Sequence, residues 1–204
     1  MATVDAEKKL QNRVLHWLVD DLGYTYLGNL EDIDNTPVKE ELLKANLKKR
    51  GYTDDQIKTA ISELVGKVNN QSDTLYQINR SVYSLLRYGR QGAKDANGHR
   101  QTVHYIDWDD IGKNDFFVAE EVSVLRFDKV TRKRPDVVLY INGIALGVFE
   151  LKSSYVSAGK GIRQLLQNQK RENILNFFST AQFLFAGNEA EGLFYGTINT
   201  PEKY

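Results

Sequence analysis

Apolar residues in the first half of the chain recur at the spacing of an α-helix. Leu10, Val14, Trp17 and Leu18 predict a first helix, and Gly23 is placed to end it. The same spacing predicts three further helices: one from Thr36-Pro37 to about Gly51, one begun by a Thr53–Gln56 capping box, and one capped by Asp73 and ended by Gly89.

Beyond residue 100 the pattern changes to short apolar runs typical of strands. The polar, glycine-rich stretch Gly89–Arg100 is predicted to be a loop between the two regions. We therefore expect a helical N-terminal region over residues 1–95, whose first helix could pack on a core formed by residues 96–204. Helices around a mostly antiparallel set of strands favour a mixed α/β sandwich. The predicted strands cover residues 103–106, 116–125, 137–141, 144–152, 182–186 and 193–198, with one helix over residues 160–177.

Composition places the chain among ordinary globular proteins. Of its 204 residues 41% are hydrophobic and 26% are charged, and it contains no cysteine, which excludes disulfides and thiolate metal sites. No apolar run approaches the roughly 20 residues of a membrane helix, and the N-terminus lacks the layout of a signal peptide. These features fit a cytoplasmic protein with no membrane partner.

The charge is zero overall but unevenly distributed. Residues 129–171 contain nine basic residues and only two acids, Asp136 and Glu150. Two acids within a basic region are typical of a metal site that faces a phosphate backbone. A solvated charged surface explains the charge pattern equally well.

The candidate chemistry lies at the ends of a predicted hairpin. Asp136 precedes the first strand, and Glu150 and Lys152, two positions apart, project from the same face of the second. A strict two-residue Asn142-Gly143 turn would place Asp136 opposite Phe149, on the other face from Glu150. A three-residue loop, or one bulge elsewhere in the hairpin, would bring both acids to one face, so we predict such an odd-residue insertion.

Two carboxylates on a shared face suit Mg²⁺, which prefers oxygen ligands and keeps part of its hydration shell. The ion would polarise a phosphoryl oxygen and activate a water, while the Lys152 ammonium would orient that water and neutralise charge on the phosphate. A buried Asp–Lys–Glu ion network that only closes the hairpin is the structural alternative, and the spacing alone does not separate the two.

The sequence around these residues resembles a known family. Together the following segments resemble the N-terminal region of the restriction (R) subunit of type I restriction–modification enzymes, a member of the PD-(D/E)xK nuclease superfamily: Tyr76–Arg80, Leu85–Gly89, Ile106–Trp108, Asn114–Phe116, Arg134–Lys152 (RPDVVLYINGIALGVFELK), Gly187-Asn188 and Tyr195–Thr197, with Gly23-Tyr24 after the first helix.

The resemblance implies a restriction-endonuclease-like mixed sheet flanked by helices, with an N-terminal helical lobe. It implies that Asp136 and Glu150 bind the metal, that Lys152 is the catalytic lysine, and that Mn²⁺ can substitute for Mg²⁺. Glu7 matches an accessory acid on the first helix, although a glutamate at the solvent edge is the more frequent arrangement. The family's glutamine followed four residues later by tyrosine is missing here. The residues expected to face DNA are Arg134, Arg163, Gln169 and Gln164.

The resemblance also implies a longer parent protein, of which this chain is a fragment. That parent cleaves double-stranded DNA, carries ATP-driven translocase domains, and assembles with methyltransferase and specificity subunits. The chain has no GxxxxGK[ST] loop, so we expect it not to bind ATP, and we expect little activity from the fragment alone. The alternative functions are a silent nuclease-like module that binds DNA or docks partner subunits, and a structural interaction lobe in which residues 1–90 dock other subunits and the hairpin is only core.

Overall fold

The structure, a computed structural model, describes residues 2–94 and 100–203. Five α-helices lie in these residues: α1 (Ala2–His16), α2 (Glu40–Lys49), α3 (Asp54–Val68), α4 (Leu75–Tyr88) and α5 (Ala158–Asn168). The strands are β1 (Thr25–Asn29), β2 (Arg90–Lys94), β3 (Arg100–Val103), β4 (Phe116–Glu120), β5 (Val124–Leu125), β6 (Arg132–Lys133), β7 (Val137–Ile141), β8 (Ile144–Leu151), β9 (Phe183–Asn188) and β10 (Gly192–Gly196).

Six of the strands form one mixed sheet in the order β1-β4-β7-β8-β9-β10. The pairs β1–β4 and β8–β9 are parallel, and the remaining three neighbouring pairs are antiparallel. Strands β2 and β3 form one separate hairpin, and β5 and β6 form another. This arrangement confirms the predicted mixed α/β class and is consistent with a restriction-endonuclease-like fold.

Strand β8 is one of the two central strands of the six-stranded sheet, and all eight of its residues are buried. On one face of the sheet Phe149 and Leu151 pack with Leu15 and Leu18, which come from α1 and the turn after it. The other face packs through Val148 against α5 and the segment that follows it. A strand covered on both faces needs a continuous apolar sequence, which explains the run from Ile144 to Leu151.

Helices α2, α3 and α4 form a second core. Leu43, Leu64 and Leu86 are buried in it, together with Ile144 and Leu146 from the start of β8. The helical lobe therefore rests on the same strand that carries Glu150 at its other end. No helix within residues 2–94 and 100–203 is long and apolar enough to cross a bilayer.

Several predictions for the first half were wrong. The chain after α1 continues as a π-helical turn over Trp17–Asp21, and the side chain of Trp17 is exposed instead of inward. The predicted helical region also contains β1, which pairs with β4 in the sheet. Pro37 does not begin α2, because its carbonyl accepts the amide of Ala145 and Val38 bridges Ile144. The division at residue 95 stays a prediction.

Other boundaries of helices and strands also differ from the predicted ones. Thr74, not Asp73, caps α4 through a capping box with Gln77. Within the predicted loop, residues 90–94 form β2, and residues 95–99 lie outside the described part of the chain. The predicted strand over residues 116–125 breaks at Glu121, which has a φ of 50°. The predicted helix over residues 160–177 ends at Asn168, before a 3-10 turn at Leu175–Ser179.

Candidate active site

The register of the β7–β8 hairpin decides whether the two acids meet. Asn142 and Gly143 form a two-residue turn with φ values of 53° and 86°, and Ile141 pairs with Ile144. The pairing then shifts, because Tyr140 faces Ala145 while Leu139 faces Gly147, which leaves Leu146 as an extra residue in β8. The predicted odd-residue insertion is therefore confirmed, and of its two possible forms the structure has the bulge and not the three-residue loop.

Beyond the bulge Val137 faces Phe149, so the next position along the hairpin sets Asp136 opposite Glu150. The Nζ atom of Lys152 lies 2.7 Å from Glu150 Oε1, 3.4 Å from Glu7 Oε1 and 4.0 Å from Asp136 Oδ2. Asp136 Oδ2 also accepts the amide of Leu151 at 2.6 Å. The structure thus brings together the three residues predicted from the hairpin and adds Glu7.

Burial dominates the electrostatics of this cluster. It raises the pKa of Glu150 to about 8, aided by the neighbouring Asp136 carboxylate. Burial also raises the pKa of Asp136 to about 6, although the Lys152 ammonium works against that shift. For Lys152, burial favours the neutral amine, but Glu150 and Asp136 outweigh it and raise the pKa. The lysine is therefore held as an ammonium ion at neutral pH.

Helix α1 is attached to the site by side chains that the sequence analysis did not identify. Glu120 lies at the end of β4, and its carboxylate accepts Lys8 Nζ at 2.7 Å, Gln11 Nε2 at 2.8 Å and the Tyr26 hydroxyl at 2.6 Å. Gln11 Nε2 also donates to the carbonyl of Asp136 at 3.2 Å. Gln11 lies one helical turn after Glu7, and this spacing was the available signal for a polar face on α1.

The four residues expected to face DNA differ in their surroundings. Gln169 is buried, its side-chain amide nitrogen donates to the carbonyl of Leu165, and its side-chain oxygen accepts the amide of Asn199, so its contact with DNA stays a prediction. Gln164 on α5 is half-buried. Arg134 is half-exposed and pairs with Glu31 and with Glu121, and Arg163 pairs with Glu202.

The donor set fits a divalent cation. Asp136, Glu150 and Glu7 face a single ammonium group, so the ionised cluster carries an excess of negative charge. Within the described residues, Glu150 Oε2 is buried without a hydrogen-bond partner, an arrangement that is costly unless something binds there. Across residues 2–94 and 100–203 no three acid, histidine or cysteine side chains form a complete metal cage, so water would supply the remaining ligands.

A mixed sheet with an acid before one central strand, and an acid and a lysine at the end of the next, is consistent with a restriction-endonuclease-like protein. The family model for the N terminus of the type I restriction enzyme R protein matches residues 6–203. The chain belongs to this family.

Three relatives support the same assignment. A Methanocaldococcus jannaschii chain assigned as the type I restriction enzyme MjaIXP endonuclease subunit is 27% identical over 65% of this chain. A second chain from that organism, assigned as the MjaVIIIP endonuclease subunit, is 28% identical over 82%. The type I restriction enzyme HindI endonuclease subunit of Haemophilus influenzae is 32% identical over 37% of this chain. The matches span only 14%, 16% and 7% of those relatives, respectively.

Proposed function

We propose that this chain is a nuclease domain that hydrolyses phosphodiester bonds of double-stranded DNA with Mg²⁺, for which Mn²⁺ can substitute. The observation that carries the proposal is the convergence of Asp136, Glu150 and Lys152 at the bulged hairpin, with Lys152 Nζ within 4.0 Å of both carboxylates. Membership of the R-protein family supports the same chemistry.

Asp136 and Glu150 would hold the cation, which supplies Lewis-acid stabilisation of the phosphate and an activated water. Lys152 stays an ammonium ion, so its role is to donate hydrogen bonds to the attacking water or to a phosphate oxygen. Glu7 Oε1 lies 3.4 Å from the Lys152 ammonium, so Glu7 would orient Lys152. None of these steps requires the chain to recognise a base sequence.

The surroundings of this domain in a longer protein are part of the proposal. The matches span 14% and 16% of the two Methanocaldococcus jannaschii relatives, and by the resemblance to R subunits translocase domains would belong to the same polypeptide, while methyltransferase and specificity subunits would bind the assembled enzyme. ATP would be used by those translocase domains. A cytoplasmic location, where such an enzyme meets DNA, belongs to the same proposal.

Nicking of supercoiled plasmid tests the enzyme directly. We expect slow nicking by the wild-type chain in Mg²⁺ or Mn²⁺, stopped by EDTA and abolished in Asp136→Asn and Lys152→Ala. The matched controls are Glu41→Gln and Lys58→Ala, which alter exposed residues of α2 and α3. Equal nicking by the wild type and the site variants would refute the proposal and leave a silent DNA-binding or docking module.

Calorimetric titration with MgCl₂ and MnCl₂ separates metal binding from turnover. We expect the wild type to bind one ion and Asp136→Asn to bind it at least tenfold more weakly. A wild-type chain that binds neither metal in the presence or absence of duplex DNA would contradict the assigned ligands.

A further inference from the structure

The β5–β6 hairpin continues the β4–β7 strand pair beyond the site. Glu120 pairs with Val137, and past the end of the sheet the amide of Glu121 donates to the carbonyl of Asp136 at 2.9 Å. The ladder then resumes where Val124 faces Lys133. Asp136 is therefore located at the junction between the six-stranded sheet and a projecting hairpin.

The hairpin is unusually basic for a chain with no net charge. Residues 126–134 contain five cations and a single acid. The three arginines pair with acids: Arg126 with Asp128, Arg132 with Asp34, and Arg134 with Glu31 and Glu121. Lys129 and Lys133 have no ion pair among the described residues. The arginines therefore brace the hairpin, and the two lysines are available for an external anion.

The tip of the hairpin is fixed before any partner binds. The Asp128 carboxylate accepts the amides of Val130 at 2.9 Å and Thr131 at 2.8 Å, together with the Thr131 hydroxyl. These hydrogen bonds lower the pKa of Asp128 to about 2. At the base of the tip, the amide of Phe127 donates to Asn173 at 3.0 Å. A preorganised tip loses less conformational entropy on binding than a flexible loop.

Two large apolar side chains are exposed on this rigid tip: Phe127 is 59% exposed and Val130 is 80% exposed. They flank Lys129, which has a left-handed φ of 59°. Exposed apolar groups between cations fit a partner that presents both phosphates and an apolar sugar-and-base surface, as a DNA groove does.

We infer that the β5–β6 hairpin holds the DNA duplex beside the cleaved bond, with Lys129 and Lys133 on phosphates and Phe127 and Val130 against the groove. The inference rests on the proposed function, since it takes DNA as the substrate. Lys133 is three residues from Asp136, so their Cα atoms are at most about 10 Å apart. Successive phosphates on a strand advance about 3.4 Å along the helix axis, which puts Lys133 within reach of a phosphate a few nucleotides from the site.

Fluorescence anisotropy with a labelled 30-base-pair duplex in EDTA measures this contact without cleavage. We expect Lys129→Ala/Lys133→Ala to reduce the slope of log K against log [salt] by about 1.8, because each lost phosphate contact reduces it by about 0.9. The ratio of the wild-type binding constant to that of the variant then falls about tenfold between 50 and 200 mM salt. Phe127→Ser/Val130→Ser weakens binding but leaves the slope unchanged.

Lys44→Ala/Lys58→Ala removes the same charge from exposed positions on α2 and α3 and should leave the slope at the wild-type value. Lys129→Arg/Lys133→Arg retains both charges and should therefore retain the wild-type salt slope. This control separates the loss of charge from a folding defect caused by substitution at these two positions. Equal salt slopes for Lys129→Ala/Lys133→Ala and Lys44→Ala/Lys58→Ala would overturn the inference about the hairpin. The nuclease proposal would still stand if the wild type nicks plasmid and the site variants do not. A wild-type chain that binds no duplex at any salt concentration would overturn both.

Discussion

Replacing Glu150 with glutamine should stabilise the metal-free protein, and the gain should depend on pH. Burial raises the pKa of Glu150 from 4.5 to about 8, so the folded protein binds a proton that the unfolded chain releases above pH 4.5. This group therefore stabilises the fold fully below pH 4.5, and that contribution is lost as the pH rises to about 8. The loss is about 1.4 kcal/mol per pH unit, or about 3 kcal/mol at pH 7.

Glutamine avoids this loss because it has no charge to bury, and its carbonyl oxygen can still accept Lys152 Nζ. Urea denaturation in EDTA at pH 5, 7 and 8 should show a stability gain for Glu150→Gln that grows with pH, reaching on the order of 3 kcal/mol at pH 7. Glu41→Gln, at an exposed position, should change stability by less than about 0.5 kcal/mol at every pH. A variant that is less stable than the wild type at pH 8 would refute the assignment of Glu150 as a costly buried acid.

Three further changes test separate parts of the site. Lys152→Met leaves the buried acids uncompensated, so we expect a loss of about 3–5 kcal/mol at neutral pH that shrinks below pH 4 in the same denaturation series. Gln11→Ala removes the side-chain donor to Glu120 and to the Asp136 carbonyl. The free energy of unfolding should fall by about 1–3 kcal/mol. Plasmid nicking should fall more than in a surface variant of equal stability. Gly143→Ala should lower the thermal midpoint, with a loss of unfolding free energy on the order of 3 kcal/mol. The reason is that the residue has a φ of 86° and an added Cβ would lie 2.7 Å from the Lys39 carbonyl oxygen. An unchanged midpoint would contradict the turn geometry.

The sequence predicted the site well where periodicity constrains geometry. Glu150 and Lys152 had to share a face, because side chains alternate along a strand. The need for an odd-residue insertion followed from counting positions between Asp136 and the turn. The place of that insertion did not follow, because no local pattern marks Leu146 as the extra residue; in the structure its carbonyl accepts the amide of Gln182, which is distant in sequence.

The rest of the site depends on tertiary packing. Glu120 lies inside the predicted strand over residues 116–125 but ends β4 in the structure, and its three partners come from α1 and β1, about 95 to 110 residues away. Strand β1 was missed because its burial is partial and it forms the edge of the sheet, so its sequence lacks a clear alternation. The basic run before Asp136 was visible from the sequence, but its division into pairing arginines and unpaired lysines required the structure.

The bulge and the buried acids are two departures from the most stable arrangement of this hairpin, and both serve the same geometry. A strict hairpin after the Asn142-Gly143 turn would keep every ladder bond, yet it would set Asp136 and Glu150 on opposite faces. Well-packed apolar residues at both positions would avoid the burial of charge, and such replacements are often neutral or stabilising. A fold that needed only a closed hairpin would require neither feature. Together they produce a pair of carboxylates next to one ammonium, and a bound divalent cation would offset their desolvation cost, which is the physical reason to prefer the metal site over a structural ion network.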